Sequence, residues 1–300
     1  MGAGGSGQAR RFGKRRWRRP ERMTLDGPPV VRRKDLGVSE PLPLEPELAR
    51  RASRRHLEVL LISFGVLAAA EGALIGLAIG HPIFGAVAAL VLGAVYFFVA
   101  REFGDSWIVK ALRAAPVKGT RVLRLASSEA RSAGVPAPRV LVAPGDVPNA
   151  LSFALRRRWV VTTQACETLD ELALEGLLAH EIVHLRDGEA TVASLFVVLA
   201  GGPDLLLRGA GPAAAISLLL WPAAVVLRLL AARIRPPDAE HRADVAAALL
   251  TRYPPGIESA LRSSGGPTAG VKLLDPFWFV ARDPSRAAEA QRRAELVAEM

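Results

Sequence analysis

Cysteine is all but missing from this chain of 300 residues: Cys166 stands alone. A lone thiol forms no intrachain disulfide, and a zinc site built on several thiolates is excluded. Histidine is scarce too, with five copies, so any bound metal must be held by a few histidines and by carboxylates. Lysine is nearly displaced by arginine, 5 against 34 among the 39 basic residues, a bias common in bacteria of high genomic GC content. Acidic residues are thin at the start of the chain, where residues 1–55 hold 15 Lys or Arg against 6 Asp or Glu and so carry +9 of the net +10.

That basic stretch, with "RRFGKRRWRRPERM" and "DGPPVVRRKDLG", has no apolar period, and residues 1–56 read as a disordered basic arm. A solvated tail and a nucleic-acid binder are alternatives. The arm lacks an array of stacking aromatics beyond Phe12 and Trp17, so no specific nucleic acid is expected. Contact with anionic lipid is the favoured reading, because an apolar run follows at once.

Residues 59–80, "VLLISFGVLAAAEGALIGLAIG", would span about 33 Å as a helix, enough to cross a hydrocarbon core. The turn "HPIFG" lacks Lys, Arg, Asp and Glu, and residues 83–100 return as a second apolar run. We expect a transmembrane helical hairpin over 57–100; a helix pair buried in a soluble core is the competing explanation. Arg50, Arg51, Arg54 and Arg55 before it, with Arg101 and Lys110 after it, place both ends in the cytoplasm by the positive-inside rule. Glu71 falls near the middle of the first helix and calls for a partner or a proton. A second apolar pair at about 191–232, interrupted by Pro222 and Arg228, is expected to form another hairpin, either spanning or packed at the surface.

From residue 101 the pattern becomes that of a globular domain, expected over 101–300. Residues 123–134 read as an amphipathic helix, and "RVLVA" (139–143), "LSFAL" and "WVVTT" as short strands whose edge could pair with an extended peptide. Residues 167–188 then read as one or two helices. They contain "HEIVH", which puts His180 and His184 one turn apart on a helix with Glu181 beside them. Two neutral imidazoles at that spacing bind zinc, and the glutamate handles the proton of the metal's water. A solvated or hydrogen-bonded histidine pair is the plain alternative. A catalytic zinc usually takes three protein ligands. The next cluster able to supply the third is "DAEHRAD" (238–244), in which Glu240 and Asp244 share a helix face. One could bind the metal while the other orients a histidine through its ring N–H; a solvated helix start would read the same way.

"HEIVHLRDGE", the apolar pair after it, "EHRAD", and "PNALSF" ahead of a strand together resemble the M48 family of membrane zinc peptidases, in particular its bacterial HtpX-like members, over roughly residues 122–261. The resemblance implies a mainly α fold with a small β-sheet, an integral membrane zincin-type domain with transmembrane hairpins, and one Zn2+ per chain. It implies His180, His184 and Glu240 as zinc ligands, Glu181 as catalytic base and Asp244 as a partner behind the ligands. The activity implied is hydrolysis of peptide bonds in misfolded or unassembled membrane proteins, at the cytoplasmic face of a multi-pass protein of the bacterial inner membrane. Polypeptide substrates and the lipid bilayer are then its partners.

Three features depart from the family pattern. His241 occupies a slot that is often aromatic, the "HPP"-type element is reduced to "DPS" at 283–285, and the long arm is extra. His241, Arg242 and Tyr253 are candidates for the oxyanion donor. A membrane-anchored scaffold or regulator that binds zinc without turnover is the alternative function.

Overall fold

The computed structural model describes residues 45–202, 221–229, 239–266 and 272–300; the expected arm up to residue 44 and the middle of the second apolar pair lie outside them. Two long helices come first, α1 (Pro46–Ala78) and α2 (Pro82–Leu112), each with proline in its first turn, where no N–H is lost. They pack side by side, and small residues make that possible: a Cβ on Gly72 would lie 2.4 Å from the carbonyl oxygen of Gly85. Both are long and apolar enough to cross a membrane.

The helices outrun the expected hairpin at both ends. Residues 46–56, expected in the arm, are instead the first turns of α1. Ala49 and Ser53 on that stretch are buried, and Arg50 donates to the Arg186 carbonyl at 3.0 Å, so tertiary contact orders it. Residues 101–112, expected in the following domain, complete α2, where Trp107, Ile108 and Leu112 are buried.

A four-stranded sheet follows in the order β1-β2-β4-β3, from β1 (Ala115–Pro116), β2 (Arg139–Ala143), β3 (Ala150–Ala154) and β4 (Arg158–Thr163). β2 and β4 are parallel and the other pairings antiparallel. Both faces are packed. Leu141, Leu151, Phe153 and Val161 join a core with α1, α2 and α5 (Glu189–Ala200), while Val140, Ala150 and Val160 join a second core. That second core draws in α3 (Thr120–Ser132), α4 (Glu171–Asp187), α7 (Ala239–Thr251), α8 (Pro254–Ser263) and α9 (Pro284–Ala298). Fully buried Leu174, Leu177 and Leu178 on α4 each contribute roughly 1.5–3 kcal/mol.

Of the second apolar pair, α5 is packed against α1 and α2, with Tyr96 Oη donating to the Val198 carbonyl. Its 12 residues are about 18 Å long, too short to cross a hydrocarbon core alone. α6 (Trp221–Leu229) lies against α1 and answers the question posed by Glu71, whose carboxylate accepts the Ala223 N–H at 3.3 Å.

Candidate metal centre

α4 begins where Asp170 caps it, accepting the Ala173 N–H at 2.7 Å, and ends at Gly188, whose φ of 83° is a left-handed conformation that glycine adopts without strain. Between these stops one continuous helix presents His180, Glu181 and His184. α7 packs against α4 and brings Glu240 and Asp244 to the same place.

The two histidine Nε2 atoms lie 3.0 Å apart. Glu240 Oε2 is 3.3 Å from His180 Nε2, and Glu240 Oε1 is 3.7 Å from His184 Nε2. An ion bound tetrahedrally at zinc-like distances would separate its ligands by about 3.3 Å, so the three residues already stand at the edges such an ion requires. Among the described residues this is a group able to hold a metal. Glu181, the residue after His180 on α4, is 1% exposed.

Each histidine is oriented from behind. His180 Nδ1 lies 2.9 Å from Asp244 Oδ1, and His184 Nδ1 lies 2.6 Å from Glu189 Oε2. A ring N–H given to a carboxylate fixes the tautomer that leaves the Nε2 lone pair free for a metal. Each carboxylate is in turn engaged by arginine. Arg293 grips Asp244 with two bonds, Nε to Oδ2 at 2.6 Å and Nη2 to Oδ1 at 2.7 Å, and its Nη1 reaches Glu240 Oε2 at 3.2 Å. The same Nη1 donates to the Phe279 carbonyl at 3.1 Å, and the guanidinium lies over the Phe279 ring. That ring meets His180 edge to face at 4.7 Å. On the other side Arg242 pairs with Glu189. Burial works against charge on Asp244, but the Arg293 guanidinium, with His180 adding to it, holds the carboxyl well below the usual carboxylate range.

Of the five residues singled out in the sequence, His180, His184, Glu240 and Asp244 meet here, and Glu181 is buried next to His180 on the same helix. Of the candidates for an oxyanion donor, Arg242 is engaged by Glu189, His241 is buried on α7, and Tyr253 is exposed at the start of α8. Three participants were not foreseen: Glu189, Arg293 and Phe279. Glu189 is five residues beyond His184, a spacing that no single helix brings to one face, and it arrives because the chain turns at Gly188. Arg293 lies 49 residues past Asp244 in a polar helix with nothing local to distinguish it.

The strand edge expected to face a peptide does exist, since β3 is last in the sheet. Its outward groups are partly taken. The Ala150 carbonyl accepts the Phe279 N–H at 2.8 Å, and the Ala154 N–H is given to Ser194 Oγ at 2.8 Å. Asn149 ties the strand's start to the C-terminal segment, its Nδ2 donating to the Gly265 and Val280 carbonyls at 2.7 Å each.

A histidine pair on one helix, a carboxylate from a second and a buried glutamate beside them define a metallopeptidase centre. The profile of Peptidase family M48 matches residues 116–261. A protease HtpX homolog of Acidiphilium cryptum is 33% identical over 226 residues, covering 67% of this chain and 77% of that protein. Homologs of the same name from Campylobacter curvus and Streptococcus agalactiae are 30% and 29% identical, over 59% and 70% of this chain and 68% and 80% of theirs. No solved structure matches the chain. The chain belongs to peptidase family M48, and it is a metallopeptidase of HtpX-like type.

Proposed function

We propose that this protein is a membrane-bound, zinc-dependent endopeptidase that cuts misfolded or unassembled membrane proteins at the cytoplasmic face. The observation that carries the reading is the convergence of His180, His184 and Glu240 at ligand-to-ligand distances of 3.0–3.7 Å around a place that Glu181 adjoins. His180, His184 and Glu240 are the ligands in this reading, and Asp244 and Glu189 set the imidazole tautomers. A zinc ion held there would supply Lewis-acid chemistry, activating a water and polarising the scissile carbonyl. Glu181 would serve as the base for the attacking water and pass the proton to the leaving amine. At 1% exposure the Glu181 side chain is shielded from bulk water.

The membrane placement is supported by what α1 and α2 expose. Ile62, Ile75, Ile83 and Phe84 are 60–81% exposed, a heavy apolar surface for a helix pair in water and an ordinary one in lipid. The flanking arginines favour a cytoplasmic domain. A catalytically silent zinc-binding scaffold is the alternative, and the presence of Glu181 beside the ligands speaks against it. The test is zinc content and casein or membrane-protein cleavage by detergent-purified protein, compared with Glu181→Gln. About one zinc per chain in both, with cleavage at least a thousandfold lower in the variant, is the expected result. Zinc in both without cleavage in either favours the scaffold, and zinc in neither overturns the metal assignment.

A further inference from the structure

We propose that the β3–β4 turn forms a binding site for the phosphate of an anionic phospholipid headgroup. The proposal rests on the membrane placement of α1 and α2 and adds to it a specific lipid contact made by the folded domain.

The turn is "LRR", residues 155–157, with Arg158 opening β4 directly after it. Its backbone is fixed by a buried carboxylate on α2: Asp105, 6% exposed, accepts the N–H groups of Leu155, Arg156 and Arg157 at 3.1, 3.2 and 3.1 Å. One residue earlier, Gly104 supplies the seat, since a Cβ there would come within 2.5 Å of the Leu155 side chain. Glu102 adds an ion pair to Arg156. The turn is thus bolted to α2 within one and a half helical turns of Ala100, where the apolar run ends. With α1 and α2 in a bilayer, that is the depth of the headgroups, and exposed Phe103 beside it suits the same interface.

The backbone is anchored, but the arginines point outward. Arg156, Arg157 and Arg158 are exposed and, with Arg139 from β2, line an open cleft of about 490 Å³. Pro136, Ala137, Ala154, Leu155 and Thr191 complete the lining, which contains no carboxylate. Arg139 is steadied over the Trp159 ring at 5.5 Å. Among the described residues no acidic side chain pairs with Arg157 or Arg158. Four guanidinium groups around one cleft, three of them without an acidic partner among the described residues and all held at headgroup depth, match the fork geometry with which arginine binds phosphate oxygens. A water-soluble phosphate offers the same oxygens. The position beside the apolar helices favours the lipid, whose chains would lie along α2.

The test uses full-length protein in detergent, with bound lipid counted by native mass spectrometry after titration with phosphatidylglycerol or phosphatidylcholine. Wild type is compared with R156Q/R157Q/R158Q and with the single variants Arg157→Gln and Arg158→Gln, which stay informative if the triple variant misfolds. Each arginine near an anionic surface adds about 1 kcal/mol, so the triple variant is expected to bind phosphatidylglycerol at least tenfold more weakly. Each single variant should bind it a few-fold more weakly, with phosphatidylcholine binding and casein cleavage in detergent unchanged. Equal phosphatidylglycerol affinity in wild type and variants overturns the proposal. Inorganic phosphate that displaces phosphatidylglycerol at millimolar concentration, or phosphatidylcholine bound equally well, overturns the lipid assignment. Release of wild-type protein from membranes by salt or alkaline washing, without detergent, would instead overturn the membrane placement itself.

Discussion

Asp244, beneath the candidate metal centre, and Glu129, between α3 and α4, are both buried carboxylates, at 0% and 4% exposure, yet the protein keeps one charged and lets the other take a proton. Arg293 spans both oxygens of Asp244 and His180 completes its surroundings, so the carboxylate stays ionised in spite of burial. Glu129 has Glu175 for a neighbour. Burial, then the charge of Glu175 and a hydrogen bond to it, push its pKa up to about 7. The difference is one of purpose. A charge held behind a ligand histidine orients a metal site, so the chain spends a distant arginine on it. At a helix interface with no ligand to hold, a shared proton is the cheaper solution.

Removing the arginine breaks the comparison most sharply. Arg293→Met strips the buried Asp244 of its guanidinium partner, leaving the His180 contact, and removes one partner of the Glu240 carboxylate. We expect a loss of about 3–5 kcal/mol in stability, read by denaturant unfolding of the metal-free protein. We also expect a 10–100-fold loss in zinc affinity, read by chelator competition. Arg293→Lys, which keeps charge but not the two-pronged grip, should recover stability more than affinity. Unchanged affinity in the methionine variant would show that the grip on Asp244 does not reach the ligands.

The same contrast explains what could be read in the sequence. His180, His184 and Glu181 are legible because one helix sets their relation, and Glu240 with Asp244 because one turn of another helix does. β2 was legible residue for residue, from "RVLVA" after a proline-containing turn. What escaped depends on tertiary structure. Nothing near Arg293 says that α9 will fold back over α7, and nothing in "RDGEA" says that a left-handed glycine will swing Glu189 under His184. The extent of α1 escaped for a like reason: residues 46–56 read as a basic tail until contact with α4, through Arg50 and Arg186, is known.

The two supports behind the histidines differ in depth, which sets a second and smaller effect. The Glu189 side chain is 16% exposed, whereas that of Asp244 is fully buried. Glu189→Gln keeps the shape and removes the charge that holds the His184 ring. We expect about a tenfold loss in zinc affinity, the low end for such partners, with stability changed by less than in Arg293→Met because Asp187 still offers the buried Arg242 a countercharge. Chelator competition and unfolding on the same samples check both. An affinity loss larger than that of Arg293→Met would reverse the ranking of the two supports.

Glu129 provides the smallest effect and the cleanest sign. Its folded pKa, about 7, lies above the ordinary carboxylate value, so the folded state holds a proton that the unfolded chain releases. The stability linked to it is complete below the unfolded value near 4.5 and is lost as pH rises from there through about 7, after which it levels off. With solvent screening allowed for, the loss is on the order of 1 kcal/mol, or a fall of about 2–4 °C in Tm between pH 5 and pH 8. Glu129→Gln cannot lose the proton, so its melting temperature should fall less over that interval, with the two proteins diverging most near pH 8. The measurement belongs on metal-free protein, because metal binding is itself pH-dependent and would add its own slope to the profile. Parallel pH profiles for variant and wild type would mean that Glu129 is charged in the folded state, with a cation reaching it that α3 and α4 do not supply.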